Sequence, residues 1–194
     1  KYPDVSVQLQ VHSTRRTGWS VANGQIDLAI IGGQLPGDLE NLLQVIPYAT
    51  DELALVLPSK HPLSNKKELL KEDLYKLNFV TLDSQSTTRK VVDKLLKDSG
   101  LDIQRLKIEM ELNSLEAIKN AVQSGLGASF LPVVSIEREL AAGTIHKAFI
   151  ADLEVKRELK LITNPSRYTS RASEVFKKNI LPQFASFESP LRES

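Results

Sequence analysis

Stretches with the two-residue period of a half-covered strand alternate along this 194-residue chain with capped, amphipathic helical stretches, and the alternation predicts an α/β fold. Two features reinforce it. Glycine stops follow the helical stretches at Asn23-Gly24, Gly100 and Gly125, and short apolar runs close on Gly32-Gly33 or Pro132.

Val5, Val7, Leu9 and Val11 alternate with polar residues and predict a strand. Ser13 and Thr14 offer caps to a helix ending near Asn23, and Ile26 to Ile31 is an apolar run closed by Gly32-Gly33. Strand, helix, strand in that order favours a parallel sheet with a right-handed crossover. Leu43 to Ala49 and Leu53 to Leu57 are β-rich runs separated by a polar Thr50-Asp51-Glu52 turn. Lys66 to about Leu77 has a charged helical pattern, and Phe79 to Leu82 is a compact strand. Ser86 to Ser99 predicts a helix with Val91, Leu95 and Leu96 on one face, and Leu106 to Leu112 alternates again as a strand. A helix from Asn113 to about Ser124 and a strand ending at Pro132 continue the series. A small helix over Val133 to Ala141, strands at Ile145 to Ile150 and Glu158 to Thr163, and a last helix from Ser170 to about Phe187 complete it. Val175, Phe176, Ile180, Phe184 and Phe187 fall at helical spacing in that last segment.

A net charge of +1 leaves the chain without a general attraction to nucleic acid, so any DNA contact belongs to another part of the protein. With no cysteine there is neither a disulfide framework nor a thiolate metal site. No apolar run approaches the roughly 18 residues of a membrane span. Opening at Lys1, the sequence reads as an excised fragment.

Three polar clusters stand at predicted strand-to-helix junctions, where open α/β sheets hold ligands and helix N–H groups attract anions. The first is His12-Ser13-Thr14-Arg15-Arg16-Thr17, which suits a carboxylate or phosphate and in which two arginines oppose the helix dipole and call for an explanation. The second, Asp83-Ser84-Gln85-Ser86-Thr87-Thr88-Arg89, carries more hydroxyls than capping requires. At the third, either Asn113 or Ser114 serves as cap, leaving the other for a ligand. Ordinary capping with solvated charges is the competing explanation at all three. Gly125-Leu126-Gly127 lacks the third glycine and preceding strand of a dinucleotide fingerprint, so Gly125 reads as a helix stop and Gly127 as a point of close strand approach. Gly32-Gly33 either turns the chain or lets its backbone approach a ligand. His12, His61 and His146 are scattered and no nucleophile motif occurs, which argues against an enzyme. Lys156-Arg157 reads more simply as surface charge than as an anion site.

Tyr2-Pro3-Asp4-Val5, Gly24-Gln25-Ile26-Asp27-Leu28-Ala29-Ile30 and Gly125-Leu126-Gly127-Ala128-Ser129-Phe130-Leu131-Pro132, in this order, resemble the effector-binding domain of LysR-type transcriptional regulators over nearly the whole chain. Thr14 to Asn23 and Ala29 to Gly33 are similar to a narrower group that regulates inorganic carbon uptake and fixation. The resemblance implies two periplasmic-binding-protein-like (type 2) subdomains with mixed sheets, joined by two crossover segments. Residues 1–80 and 160–194 would form subdomain I and residues 81–159 subdomain II. It implies a small anionic effector between them, such as 2-oxoglutarate, 2-phosphoglycolate, ribulose 1,5-bisphosphate or NADPH. Ser13, Thr14, Arg16, Thr17 and Gly33 would face it from one side, and Ser84, Gln85, Ser86, Thr87 and Asn113 from the other.

Further implications are a homodimer or tetramer, DNA contact only through a helix-turn-helix domain absent from this chain, no cofactor, no membrane, and a cytoplasmic or plastid-stromal location. The family domain normally opens with a strand, a Ser/Thr-rich loop and a helix ahead of the Tyr-Pro motif. Lys1 falls at that helix's end, so the resemblance implies an incomplete pocket and interface. An extracytoplasmic solute-binding protein of the same fold is the alternative function.

Overall fold

The computed structural model describes residues 5–181. Tyr2, Pro3 and Asp4 of the opening motif, and Phe184 and Phe187 of the predicted last helix, lie outside the described residues. In chain order the elements begin with α1 (Thr14–Ala22), β1 (Leu28–Ile31), α2 (Gly37–Glu40) and β2 (Gln44–Pro58). Then follow β3 (Asn78–Leu82), α3 (Thr87–Asp98), β4 (Lys107–Leu112), α4 (Leu115–Gln123) and β5 (Ser129–Pro132). The described part closes with α5 (Glu137–Ala141), β6 (Ile145–Ala148), β7 (Lys156–Thr163) and α6 (Arg171–Val175), the last continuing into a π-helical turn over Phe176–Ile180.

The chain forms two compact units. Among the described residues, unit 1 holds 5–50 and 158–181 and unit 2 holds 51–157. The first passage between them lies inside β2 at Thr50 and Asp51, well ahead of the boundary near Val80 expected from the sequence. The second lies at Arg157 and Glu158 inside β7. The early boundary follows from packing, since Leu53, Leu55 and Leu57 are buried with Phe79 in one core of unit 2. Thr50-Asp51-Glu52 is accordingly no turn, and β2 runs through it as one strand of 15 residues.

In unit 1, Ser13 caps α1 and Gly24, at φ +70°, follows its end. Val21, Ile31, Leu35, Leu39, Leu43 and Ile162 form the core. The expected parallel pairing is replaced here: β1 pairs antiparallel with β7, Leu28 opposite Thr163 and Ile31 opposite Lys160. The segment Val5 to Val11 forms no strand among the described residues. Leu9 and Val11 are 88% and 84% exposed, because alternation buries a face only where a neighbouring strand and a covering layer are present. Burial raises the Tyr48 pKa, and its hydroxyl donates to the Leu181 carbonyl at 2.9 Å.

In unit 2, β3 and β4 are parallel neighbours from Asn78 opposite Lys107 to Leu82 opposite Leu112, as their strand, helix, strand order predicts. Alternate residues of the strands feed two cores. Leu55, Leu57 and Phe79 pack with Val92 and Leu96 of α3, and Val56, Val80 and Leu131 pack with Ile118 and Val122 of α4. Each fully buried Leu, Ile or Phe side chain contributes about 1.5–3 kcal/mol of transfer free energy. β5 and β6 pair antiparallel with β2, and Ala128 bridges to β3 twice, its carbonyl accepting the Val80 N–H at 2.9 Å and its N–H donating to the Asn78 carbonyl at 2.8 Å.

Lys66 to Leu77 is not an α-helix. It contains only a short 3-10 segment over Lys71–Lys76, because the Asp73 carboxylate accepts the Leu70 N–H at 3.1 Å and binds Lys66 and Lys76 at 3.0 and 2.8 Å. On the far face Lys119 is buried between Glu116, Glu139 and the Ser135 carbonyl. The Glu116 hydrogen bond, opposed by burial, raises the Lys119 pKa, and the Lys119 bond lowers that of Glu139.

Candidate functional site

Parallel pairing of β3 with β4 brings two helix starts to one edge of the sheet in unit 2, since α3 follows the end of β3 and α4 follows the end of β4. Asp83 N–H donates to the Leu112 carbonyl at 3.1 Å and fixes the two strand ends together. At this edge each helix points free N–H groups and the positive end of its dipole away from the strands. Ligands of open α/β sheets bind in that position.

The loop into α3 is shaped by Asp83, whose Oδ1 accepts the Gln85 N–H at 2.9 Å and whose carbonyl accepts the Ser86 N–H at 2.9 Å. Ser86 occupies the cap position of α3 with extended backbone but makes no side-chain cap bond, so capping does not use its hydroxyl. Ser84 and Gln85 are exposed, with Gln85 Oε1 accepting from Lys90 Nζ at 3.4 Å. Thr87 is half-buried and engaged, and Thr88 Oγ1 accepts from Arg157 at 2.7 Å. Arg89 is committed to neighbouring side chains. Its Nε donates to both Asp93 oxygens at 2.8 Å and its Nη1 to Thr81 and, at 3.4 Å, to Glu111. With that guanidinium so engaged, the unpaired N–H groups of the helix start are the groups at this edge suited to an anion.

At α4 the choice left by the sequence is resolved: Ser114 caps, accepting the Ala117 N–H at 3.4 Å, and Asn113 is exposed beside it. Gly125 stops α4 at φ +82°, and a Cβ on Gly127 would stand 2.7 Å from the Asn78 carbonyl, so that glycine permits close strand approach.

In unit 1, Ser13 accepts the Arg16 N–H at 3.4 Å, Thr14 is buried, and Thr17 and Gly33 are half-buried. The two arginines differ. Arg15 lies 3.8 Å from Asp38, whereas exposed Arg16 has no ion-pair partner among the described residues.

Two features escaped the sequence reading. One is a small open pocket beneath α3, lined by Phe79, Val92 and Phe130 and by Thr81, Thr88 and Arg89. The other is Arg157, read as surface charge, which is half-buried and paired with buried Asp51 of β2 at 2.7 Å. Only strand pairing could reveal a bond between residues so distant in the chain. Among the described residues no three His, Cys, Asp or Glu side chains gather as a metal site, and no helix is long and apolar enough to cross a membrane.

The family model described as the LysR substrate binding domain matches residues 1–185. The chain belongs to this family. Similar LysR relatives include a protein named probable RuBisCO transcriptional regulator from Trichormus variabilis, 63% identical over 185 residues, and one of the same name from Synechocystis, 61% identical over 185. These alignments cover 95% of this chain and 55% and 54% of the relatives, so the chain spans about half the length of the curated relatives it matches. Among solved structures, the CcmR regulatory domain of Synechocystis PCC6803 in complex with 2-PG aligns with a TM-score of 0.81 at 24% identity, covering 96% of this chain and 86% of that one. The effector binding domain of QuiR in complex with shikimate aligns at 0.73 and 22% identity, covering 90% and 78%. The LysR domain is thus an α/β protein of the periplasmic-binding-protein-like type 2 class with mixed sheets, and its relatives are named as regulators rather than enzymes.

Proposed function

We propose that this domain senses a small anionic metabolite for a transcriptional regulator of inorganic carbon uptake or fixation genes, RuBisCO genes among them. The observation that carries the reading is the juxtaposition of the α3 and α4 starts at the joined ends of β3 and β4, with the Ser86 hydroxyl and Asn113 unused by capping. In this reading Ser84, Gln85, Ser86, Thr87 and Asn113 meet the effector, and the family resemblance adds Ser13, Thr14, Arg16, Thr17 and Gly33. Helix amides and Arg16 supply the attraction for a carboxylate or phosphate, and the hydroxyls fix its orientation.

2-Phosphoglycolate and 2-oxoglutarate are the favoured effectors, and the 2-PG complex of the CcmR domain supports the former. The effector acts by binding one state of the regulator better than another. The regulator works as a homodimer or tetramer in the cytoplasm or plastid stroma and meets DNA through a helix-turn-helix domain outside this chain. The names of the relatives favour this over a solute-binding protein.

Calorimetric titration of the full-length regulator with 2-phosphoglycolate, 2-oxoglutarate, ribulose 1,5-bisphosphate and NADPH tests the reading. Saturable heat with at least one of them is expected. Heat from none would overturn it.

A further inference from the structure

Arg157 joins three segments of unit 2 that are far apart in sequence. Its Nε donates to Asp51 Oδ2 at 2.8 Å, its Nη2 lies 2.7 Å from the same oxygen, and its Nη1 donates to Thr88 Oγ1 at 2.7 Å. The Asp51 and Arg157 side chains are only 8% and 14% exposed, so each charge depends on the other. Asp51 and Arg157 are also the residues of unit 2 that adjoin the two chain passages, one in β2 and one in β7. Thr88 stands in the first turn of α3, next to Ser84 to Thr87.

The chemistry suits a relay. A planar guanidinium presents several donors in fixed directions, so it can hold a carboxylate on one edge and a hydroxyl on another; an ammonium on a flexible stem fixes neither. Because Arg157 fills an acceptor position of Thr88, the hydroxyl proton is not spent on that bond. Displacement of the first turn of α3 moves Thr88 relative to a guanidinium that is anchored at the passages.

We infer that Arg157 is a positioning residue that transmits the state of the α3 first turn to both passages, through Thr88 on one side and Asp51 on the other. Its ligand-dependent part rests on the effector reading above; the mechanical link does not. The Thr88 bond is the arm to cut, because Thr88→Val leaves the ion pair intact and keeps the side-chain shape.

Hydrogen exchange on the full-length regulator, at amides 50–53 and 155–158, provides the test. Without ligand, Thr88→Val is expected to speed exchange at these amides about threefold while amides of α4 and β5 stay unchanged, and Thr88→Ser is expected to restore the wild-type rate. An unchanged rate at the passages, or an equal rise throughout unit 2, would overturn the inference whatever the ligand does. Adding 2-phosphoglycolate is expected to slow the passage amides in the wild type but not in Thr88→Val, although calorimetry still registers binding to the variant. Equal slowing in both proteins would overturn the relay. If the wild type gives neither heat nor slowing with 2-phosphoglycolate or 2-oxoglutarate, the effector reading fails, and the ligand-free comparison still decides the link.

Discussion

The Asp83 amide bonds the Leu112 carbonyl at 3.1 Å, tying the residue after β3 to the last residue of β4. Two helix N-termini thereby share one edge of unit 2. A ligand-binding role for that edge separates from its structural role at neighbouring residues Asn113 and Ser114.

Ser114→Ala removes the cap of α4 and is expected to lower stability by about 1 kcal/mol. Asn113→Ala makes no such change, since Ser114 and not Asn113 accepts the capping amide. The expected loss in Asn113→Ala is of effector affinity, roughly tenfold to a hundredfold for one hydrogen bond to a charged group. Urea melts paired with calorimetry check both.

Arg15 and Arg16 divide in the same way. Arg15 is near Asp38 and Arg16 is without an ion-pair partner among the described residues, so Arg16→Ala should weaken anion binding about tenfold and Arg15→Ala by less than about twofold. Equal losses from the two would contradict the assignment.

Asp73 gives a pH signature. Hydrogen bonds from Lys76 and Lys66 lower its pKa from 3.8 to about 2, so its contribution is present above the unfolded value and is lost as pH falls from about 4 through 2. Asp73→Asn is expected to cost about 1–2 kcal/mol at neutral pH, through the charge-assisted bonds and the 3-10 segment they organise. Its stability should also fall less steeply than wild type below pH 4 in urea melts at stepped pH.

Gly127→Ala tests the strand approach. Its Cβ would meet the Asn78 carbonyl at 2.7 Å and spread the backbone bonds on either side, an expected loss of about 2–3 kcal/mol. Gly125→Ala meets no atom within 4 Å and carries only the strain of φ +82°, about 1 kcal/mol. Chemical denaturation of the two variants should preserve this order.

The parts legible in the sequence are those set by neighbours along the chain. The β3, α3, β4 series and the α4 cap and stop follow from alternation, hydroxyl caps and glycine, and the structure has them where the residues place them. What escaped depends on partners far away. Thr50-Asp51-Glu52 has the composition of a turn, yet β2 continues through it because Asp51 is neutralised by Arg157. Val5 to Val11 has a strand's alternation without a strand's partner among the described residues. At the candidate site, the sequence placed the hydroxyl clusters at helix starts, but only the hydrogen bonds distinguish Ser114 as cap from Asn113 and show Arg89 committed to Asp93.

If the joined α3 and α4 starts receive the anion, their amides are the first to sense it. Amide chemical-shift mapping of the isotopically labelled domain during titration with 2-phosphoglycolate tests it most directly. The largest saturable shifts are expected at the amides of 84–88 and 113–117. Saturable binding that leaves those amides unmoved while shifting others would contradict it.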